Sequence, residues 1–145
     1  MSGVERIVLD ASVVVKWFVD EEGTDEALRV RKRYVEGEVE VIAPELILFE
    51  TLNTLRYKRL FTESEVKRIA ESLDAYGLNL YSLRGEYAAQ AIGVAFENNI
   101  TVYDAAYVSL AIHEGIQMYT ADLELIRRLA EPHQRFVKNI VQPKE

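Results

Sequence analysis

At residues 7–12 the sequence Ile-Val-Leu-Asp-Ala-Ser places a short apolar run directly before an aspartate. Such a run is typical of a strand buried on both faces of a parallel sheet. Asp10 ends this strand, and ligands of open α/β sheets bind in the crevice beyond the carboxyl ends of the strands. We therefore expect an α/β fold in which the Asp10 carboxylate points into a binding crevice.

Residues 117–122, Gln-Met-Tyr-Thr-Ala-Asp, place a second predicted strand just before an aspartate near the other end of the chain. The first four of them are predicted to form a strand that ends at Thr120, and Asp122 is placed to begin a helix. Because parallel strands end at one edge of the sheet, we expect Asp122 to face the same crevice as Asp10.

Helices and strands alternate along the rest of the chain. Residues 62–65 form a capping-box pattern that opens a helix. Pro44 suits the first turn of another helix, and Gly115 is placed to end a third. Helices are predicted over 11–18, 25–36, 44–59, from 62 onward, 86–98, 103–114 and from 122 onward; strands are predicted over 7–9, 38–42, 78–83, 117–120 and 135–138.

The chain has no Pro/Gly/Ser-rich linker and no internal repeat. We therefore predict a single domain over residues 1–145, with its core at about 7–137. The alternation of helices and short strands indicates an α/β fold whose sheet is mostly parallel and covered by helices on both faces.

Composition limits the kinds of site that are possible. The 145 residues include no cysteine and two histidines, which excludes thiolate metal sites and makes a histidine-rich zinc site improbable. The chain shows no signal peptide and no apolar run long enough to cross a membrane, so we expect a soluble, cytoplasmic protein. The net charge of −7 argues against unselective coating of nucleic acid, but a carboxylate site is acidic until it binds metal.

Four acidic residues stand out by position: Asp10, Glu50, Asp104 and Asp122. Each aspartate sits where a helix begins, so a helix cap is the simpler interpretation of each one alone. Glu50 lies within an apolar helix, with Asn53 three residues later on the same face. The functional interpretation gains weight from the set, because all four are expected to converge on one crevice.

Convergent carboxylates need a cation. Two carboxylates ~4 Å apart repel by about 4 kcal/mol at an effective dielectric constant of ~20. A site of oxygen ligands with open water positions favours Mg²⁺ or Mn²⁺. Such a site suits hydrolysis of a phosphodiester, because the metal activates water and neutralises developing charge.

Four segments together resemble the PIN domain family, and within it the VapC toxins. They are residues 10–12, the helix with Glu50 and Asn53, residues 103–111, and residues 120–122. The resemblance spans roughly residues 7–137. It implies a five-stranded parallel sheet sandwiched by helices.

The resemblance also implies a function and a ligand set. Asp10 and Asp104 would be principal ligands of Mg²⁺ or Mn²⁺, and Glu50 and Asp122 would complete the site, partly through water. The hydroxyls of Ser12 and Thr120 match positions that orient these ligands; the alternative for each is a turn or cap residue. The implied protein is an endoribonuclease toxin that forms a homodimer and is inhibited by a small antitoxin.

Other functions remain open on sequence alone. A stand-alone PIN nuclease of RNA processing or decay would carry the same residues. A haloacid-dehalogenase-like phosphatase usually has an acid two residues after its nucleophile, where this chain has Ser12. A receiver-like binding module would have an adjacent acidic pair at the first strand's end, which Leu9-Asp10 does not supply.

Overall fold

A computed structural model describes residues 4–141, which form one five-stranded sheet with helices between the strands. The strands are β1 (Glu5–Leu9), β2 (Val39–Pro44), β3 (Asn79–Tyr81), β4 (Gln117–Thr120) and β5 (Val137–Asn139). Every strand pairing is parallel, and the order across the sheet is β3-β2-β1-β4-β5. This confirms the predicted α/β class and the five-stranded parallel sheet.

The strand order creates a crevice between β1 and β4. The chain steps outward from β1 to β2 to β3, and then crosses to the opposite side of β1 to form β4. Connections on the two sides of β1 therefore leave in opposite directions, and such a switch point is where open α/β sheets bind ligands. Ile7 pairs with both Val41 and Gln117, so β1 is the central strand.

Helices fill each connection. They are α1 (Ala11–Val14), which continues as a 3₁₀ turn (Val15–Trp17), α2 (Thr24–Val35), α3 (Leu46–Lys58), α4 (Glu63–Tyr76), α5 (Gly85–Asn98), α6 (Val102–Glu114), α7 (Leu123–Arg128) and α8 (Glu131–Gln134). In α6 every residue from Ala105 to Ala111 is buried. The alanines of this run let the helix axis approach the sheet closely, which fixes the side chains at its amino-terminal end.

Local capping signals formed as predicted. Thr62 and Glu65 exchange both hydrogen bonds of a capping box at the start of α4. Gly115 ends α6 in the left-handed conformation, with φ of 67°, which a glycine adopts without a Cβ penalty.

The predicted position of Pro44 was wrong. Pro44 is the last residue of β2, opposite Tyr81 of β3, and the helix begins two residues later at Leu46. It lies beyond the register of β1, which ends at the Val8–Ile42 pair, so its missing N–H interrupts no hydrogen bond to the central strand. Other boundaries differ by a few residues, and the predicted last helix is two short helices, α7 and α8.

No helix in residues 4–141 is both long enough and apolar enough to cross a membrane.

Candidate active site

The four acidic residues singled out in the sequence line one cavity of about 350 Å³ at the carboxyl end of the sheet. Asp10 directly follows β1, and Asp122 follows β4 after one intervening residue. Glu50 comes from the second turn of α3, and Asp104 comes from the first turn of α6. Carboxylates from four separate connections therefore meet where the strand order reverses.

Asp10 is held by two hydroxyl groups. Ser12 Oγ donates to Asp10 Oδ1 and Thr120 Oγ1 donates to Asp10 Oδ2, each at 2.5 Å. Asp10 occupies the cap position of α1, but its side chain makes no cap hydrogen bond. Its carboxylate is thus held mainly by Thr120 of β4 and by Ser12 of its own loop.

The same hydroxyls fix the loop after β4. The backbone N–H of Ala121 donates to Ser12 Oγ at 2.8 Å, and that of Asp122 donates to Thr120 Oγ1 at 3.0 Å. Ser12 and Thr120 therefore connect the ends of β1 and β4. Asp122 does cap a helix, because its Oδ1 accepts the Leu125 N–H at 3.1 Å.

Glu50 has a tyrosine partner. Tyr107 is 2% exposed, and its hydroxyl donates to Glu50 Oε1 at 2.6 Å, which joins α6 to α3 across the cavity. Burial raises the pKa of Glu50, the Tyr107 hydrogen bond opposes that rise, and the charge of Asp104 adds to it.

Asp104 is in the first turn of α6 but does not cap it. Thr101 is the cap, and its Oγ1 accepts the Asp104 N–H at 3.0 Å. The Asp104 carboxylate lines the cavity and also has a side-chain hydrogen bond with Thr101. Burial and then the charge of Asp122 raise the pKa of Asp104, although Thr101 and Arg128 act in the opposite direction.

Burial also raises the pKa of Asp10, to about 6, despite the hydrogen bonds from Ser12 and Thr120. The metal-free folded chain therefore binds a proton at Asp10 more tightly than the unfolded chain does. A pKa raised from 3.8 to about 6 means that stability present below pH 4 is lost as the pH rises through 6. The full loss is about 3 kcal/mol, at about 1.4 kcal/mol for each tenfold change in proton affinity.

We predict that Asp10→Asn removes much of this pH dependence. Urea unfolding of the metal-free wild type should show a free energy of unfolding that falls between pH 4 and pH 7, and the variant should show a shallower fall. The remaining slope would come from Glu50 and Asp104, whose pKa values are also raised. Equal slopes for the two proteins would contradict the assignment of this charge to Asp10.

Asn53 is not among the described residues that line the acidic cavity. It is exposed and lines a more open apolar hollow, together with Phe49 and Tyr103, which Glu50 also borders. Asn53 was predicted from its spacing of three residues from Glu50 on α3. The residues of α3 that line the cavity are instead spaced by four: Glu50, Thr54 and Lys58.

The lining includes polar residues that were not predicted as site residues: Lys16, Glu21, Thr54, Lys58 and Tyr107. Two of them follow Glu50 at intervals of four along α3, and Tyr107 follows Asp104 by three along α6. Helical spacing from each predicted acid could have found these residues. Lys16 and Glu21 carry no comparable signal.

The donor chemistry fits a divalent cation. All four acids offer oxygen, and their crowding raises the pKa of Asp104 and Glu50 through charge as well as burial. Within residues 4–141, however, no three Asp, Glu or His side chains lie close enough to enclose an ion by themselves. A cation bound here would need water molecules to complete its coordination, as Mg²⁺ commonly does.

Comparison with known proteins identifies the family. A family model described as PIN domain matches residues 7–132. Ribonuclease VapC3 of Pyrobaculum aerophilum is 31% identical over 128 residues, which cover 85% of this chain and 94% of that protein.

Solved structures share the fold at low sequence identity. VapBC2 of Rickettsia felis, bound to a DNA fragment from its promoter, has a TM-score of 0.66 at 12% identity, covering 92% of this chain and 98% of that one. VapC20 of Mycobacterium tuberculosis, described as a toxin that cleaves the sarcin–ricin loop, has a TM-score of 0.64 at 16% identity, covering 86% and 97%. The family match over residues 7–132 and the identity to VapC3 place the chain in the PIN domain family, among proteins of the VapC type.

Proposed function

We propose that this chain is a Mg²⁺- or Mn²⁺-dependent endoribonuclease and the toxin of a toxin–antitoxin pair. The observation that carries the proposal is the convergence of Asp10, Glu50, Asp104 and Asp122 on one cavity at the switch point of the sheet. The similarity to a ribonuclease, VapC3, supports RNA as the substrate.

Asp10 and Asp104 would be the principal metal ligands, with Glu50 and Asp122 completing the site partly through water. When bound, the cation would activate water and neutralise charge on the phosphate under attack. Cleavage would leave a 5′-phosphate and a 3′-hydroxyl.

The surrounding residues would keep these ligands in place. Ser12 and Thr120 hold both oxygens of Asp10, which fixes the carboxylate orientation before any ligand binds. Tyr107 holds one oxygen of Glu50 and leaves the other free to accept a water proton. Hydrogen bonds of this kind to metal ligands commonly change metal affinity or activity 10- to 100-fold, by rough estimate.

The toxin role draws its support from the relatives. VapC3 is named as a ribonuclease, VapC20 is described as a toxin, and the Rickettsia felis structure is VapBC2 bound to a DNA fragment from its promoter. We infer a small antitoxin as partner and a homodimer as the working form. A short reading frame for a DNA-binding protein directly upstream, whose product binds the chain and blocks cleavage, would support this role; a chain that inhibits no growth when expressed would favour a stand-alone nuclease of RNA processing.

Cleavage of RNA by the purified chain tests the chemistry. We expect cuts in a mixed set of structured and single-stranded RNAs with Mn²⁺ or Mg²⁺, no cuts with EDTA, and recovery when excess metal is added. Products should carry 5′-phosphates, detected by ligation to a 3′-hydroxyl adaptor.

Each result has a distinct meaning. Cleavage that survives complete chelation would overturn the metal mechanism. A folded chain that binds Mn²⁺ but cuts none of these RNAs would limit the substrate to an RNA outside the set. A folded chain that neither binds metal nor cuts would contradict the enzyme assignment.

A further inference from the structure

Two lysines share one carboxylate in the wall of the acidic cavity. Lys16 Nζ lies 2.8 Å from Glu21 Oε2, and Lys58 Nζ lies 2.9 Å from Glu21 Oε1. All three side chains line the same cavity as the four acids. Burial alone would raise the pKa of Glu21, but the two lysines outweigh it and hold that pKa below its ordinary value.

Each lysine has N–H donors that Glu21 does not occupy. The Lys16 side chain is 8% exposed and the Lys58 side chain is 31% exposed. An ammonium group has three N–H donors. Among residues 4–141, Glu21 is the partner found for each of them, so two donors on each lysine are available to another acceptor.

Lys16 and Lys58 lie on the same two chain segments as Asp10 and Glu50. Lys58 lies eight residues after Glu50 on α3, with Thr54 midway, so all three share the helix face that lines the cavity. Lys16 lies in the 3₁₀ turn that follows α1, six residues after Asp10. The pair therefore flanks the carboxylates from both chain segments that carry Asp10 and Glu50.

The two lysines differ in charge from the other ionisable groups that line the cavity. The lining carries five carboxylates, and the two lysines supply its positive charge. A polyanion entering this cavity meets repulsion at every other ionised group. Lysine ammonium groups bind phosphate as compact point charges, so they are the groups of this lining that can attract it.

We propose that Lys16 and Lys58 form a phosphate-binding subsite that holds a backbone phosphate of the RNA next to the one that is cleaved. This inference rests on the proposed ribonuclease function. Both lysines are positioning residues, and Glu21 is the anion that pairs with their ammonium groups until a phosphate enters. The ligand is recognised by its charge and oxygen atoms, so the subsite contributes equally for every RNA sequence.

The competing interpretation is a structural ion cluster that ties the 3₁₀ turn to α3. The two interpretations differ in what they predict for Glu21→Gln. A structural cluster would lose its centre and behave like a lysine variant. A phosphate subsite would lose a negative charge and keep both cations, so RNA should bind more tightly.

The experiment measures binding of a short single-stranded RNA to the full chain carrying Asp104→Asn, with Mg²⁺ present, over a series of salt concentrations. Adding Lys58→Gln should weaken binding by about tenfold, the worth of one hydrogen bond to a charged group. It should also lower the slope of log Kd against log salt by about 0.7, the value for one phosphate contact on a single strand. Lys58→Arg should restore both quantities.

Lys67→Gln is the matched control. Lys67 is exposed on α4 and also pairs with a single glutamate, Glu63, but it does not line the cavity. Its removal should leave affinity and salt slope near those of the parent. In the cleaving chain, Lys58→Gln should raise KM more than it lowers kcat.

Two results would overturn the subsite. The first is a Lys58→Gln variant whose affinity and salt slope match those of Lys67→Gln. The second is weakened RNA binding in a folded Glu21→Gln variant. If the wild-type chain still cleaves RNA, either result refutes the subsite and leaves the proposed function intact. If the wild-type chain shows no metal-dependent cleavage, the proposed function is refuted, and the binding data then test the subsite on their own.

Discussion

Asp104→Asn is expected to lower the rate of RNA cleavage by about 10²- to 10³-fold or more, because bound metal supplies several kcal/mol of transition-state stabilisation and Asp104 would be a principal ligand. Asparagine keeps the size of the side chain but removes its charge. The backbone contact of this residue, from its N–H to Thr101, does not involve the side chain and should persist. The variant should therefore fold normally.

The metal-free Asp104→Asn variant should be at least as stable as the metal-free wild type at neutral pH. The charge of Asp122 and burial both disfavour ionised Asp104, and the substitution relieves both. Thermal unfolding in EDTA measures this difference, and unfolding with Mn²⁺ should reverse it, because the wild type gains more from metal binding.

Asp74→Asn is a suitable control. Asp74 is exposed on α4, outside the cavity lining, so the same change of side chain should leave cleavage unaltered. A folded Asp104→Asn protein that cleaves RNA at the wild-type rate would refute the role of Asp104. Loss of activity in both variants would point to damage unrelated to the site.

Leu110→Ala should produce the largest loss of stability, about 2–5 kcal/mol, as for other fully buried leucines. Leu110 is 0% exposed and lies on α6, the helix that carries Asp104 and Tyr107. The change removes buried apolar atoms and leaves a cavity, because the side chains around a fully buried residue relax only partly. The midpoint of thermal unfolding should fall by roughly 10 °C.

The folded fraction of Leu110→Ala should still cleave RNA, because Leu110 does not line the acidic cavity. Activity at a temperature well below the unfolding midpoint would thus separate this variant from Asp104→Asn. Leu60→Ala is the matched control: Leu60 is 64% exposed, and its truncation should change the free energy of unfolding by less than about 0.5 kcal/mol. Equal losses in the two leucine variants would contradict the central position of α6 in the core.

Much of the candidate site could be predicted from local patterns. Asp10 and Asp122 each come just after a predicted strand, and parallel strands end at one edge of the sheet, so their shared location follows from strand direction alone. Asp104 was predicted because the alanines after it indicate a closely packed helix. Glu50 was predicted because its neighbours along the chain are apolar.

Local patterns misjudged features that depend on neighbouring elements. Pro44 was assigned to a helix because a first turn tolerates proline, but its position opposite Tyr81 at the end of β2 depends on the length of β3. Whether an aspartate caps a helix or belongs to the site also depends on residues that are distant in the sequence. Asp10 is oriented by Thr120, which lies 110 residues away, and Asp122 both caps α7 and lines the cavity.

The sequence by itself determined the class of fold, the parallel direction of the strands and the acids at their ends, because helical and strand periodicity and turn residues act over a few neighbouring positions. The tertiary structure decided the order β3-β2-β1-β4-β5, and with it which side chains meet. The ion pair between Lys58 and Glu21 illustrates this, because it joins two segments that no local pattern relates. Contacts of this kind come from the packing of α1 and α3 against each other, which is set by the burial of the whole core and not by any single stretch of sequence.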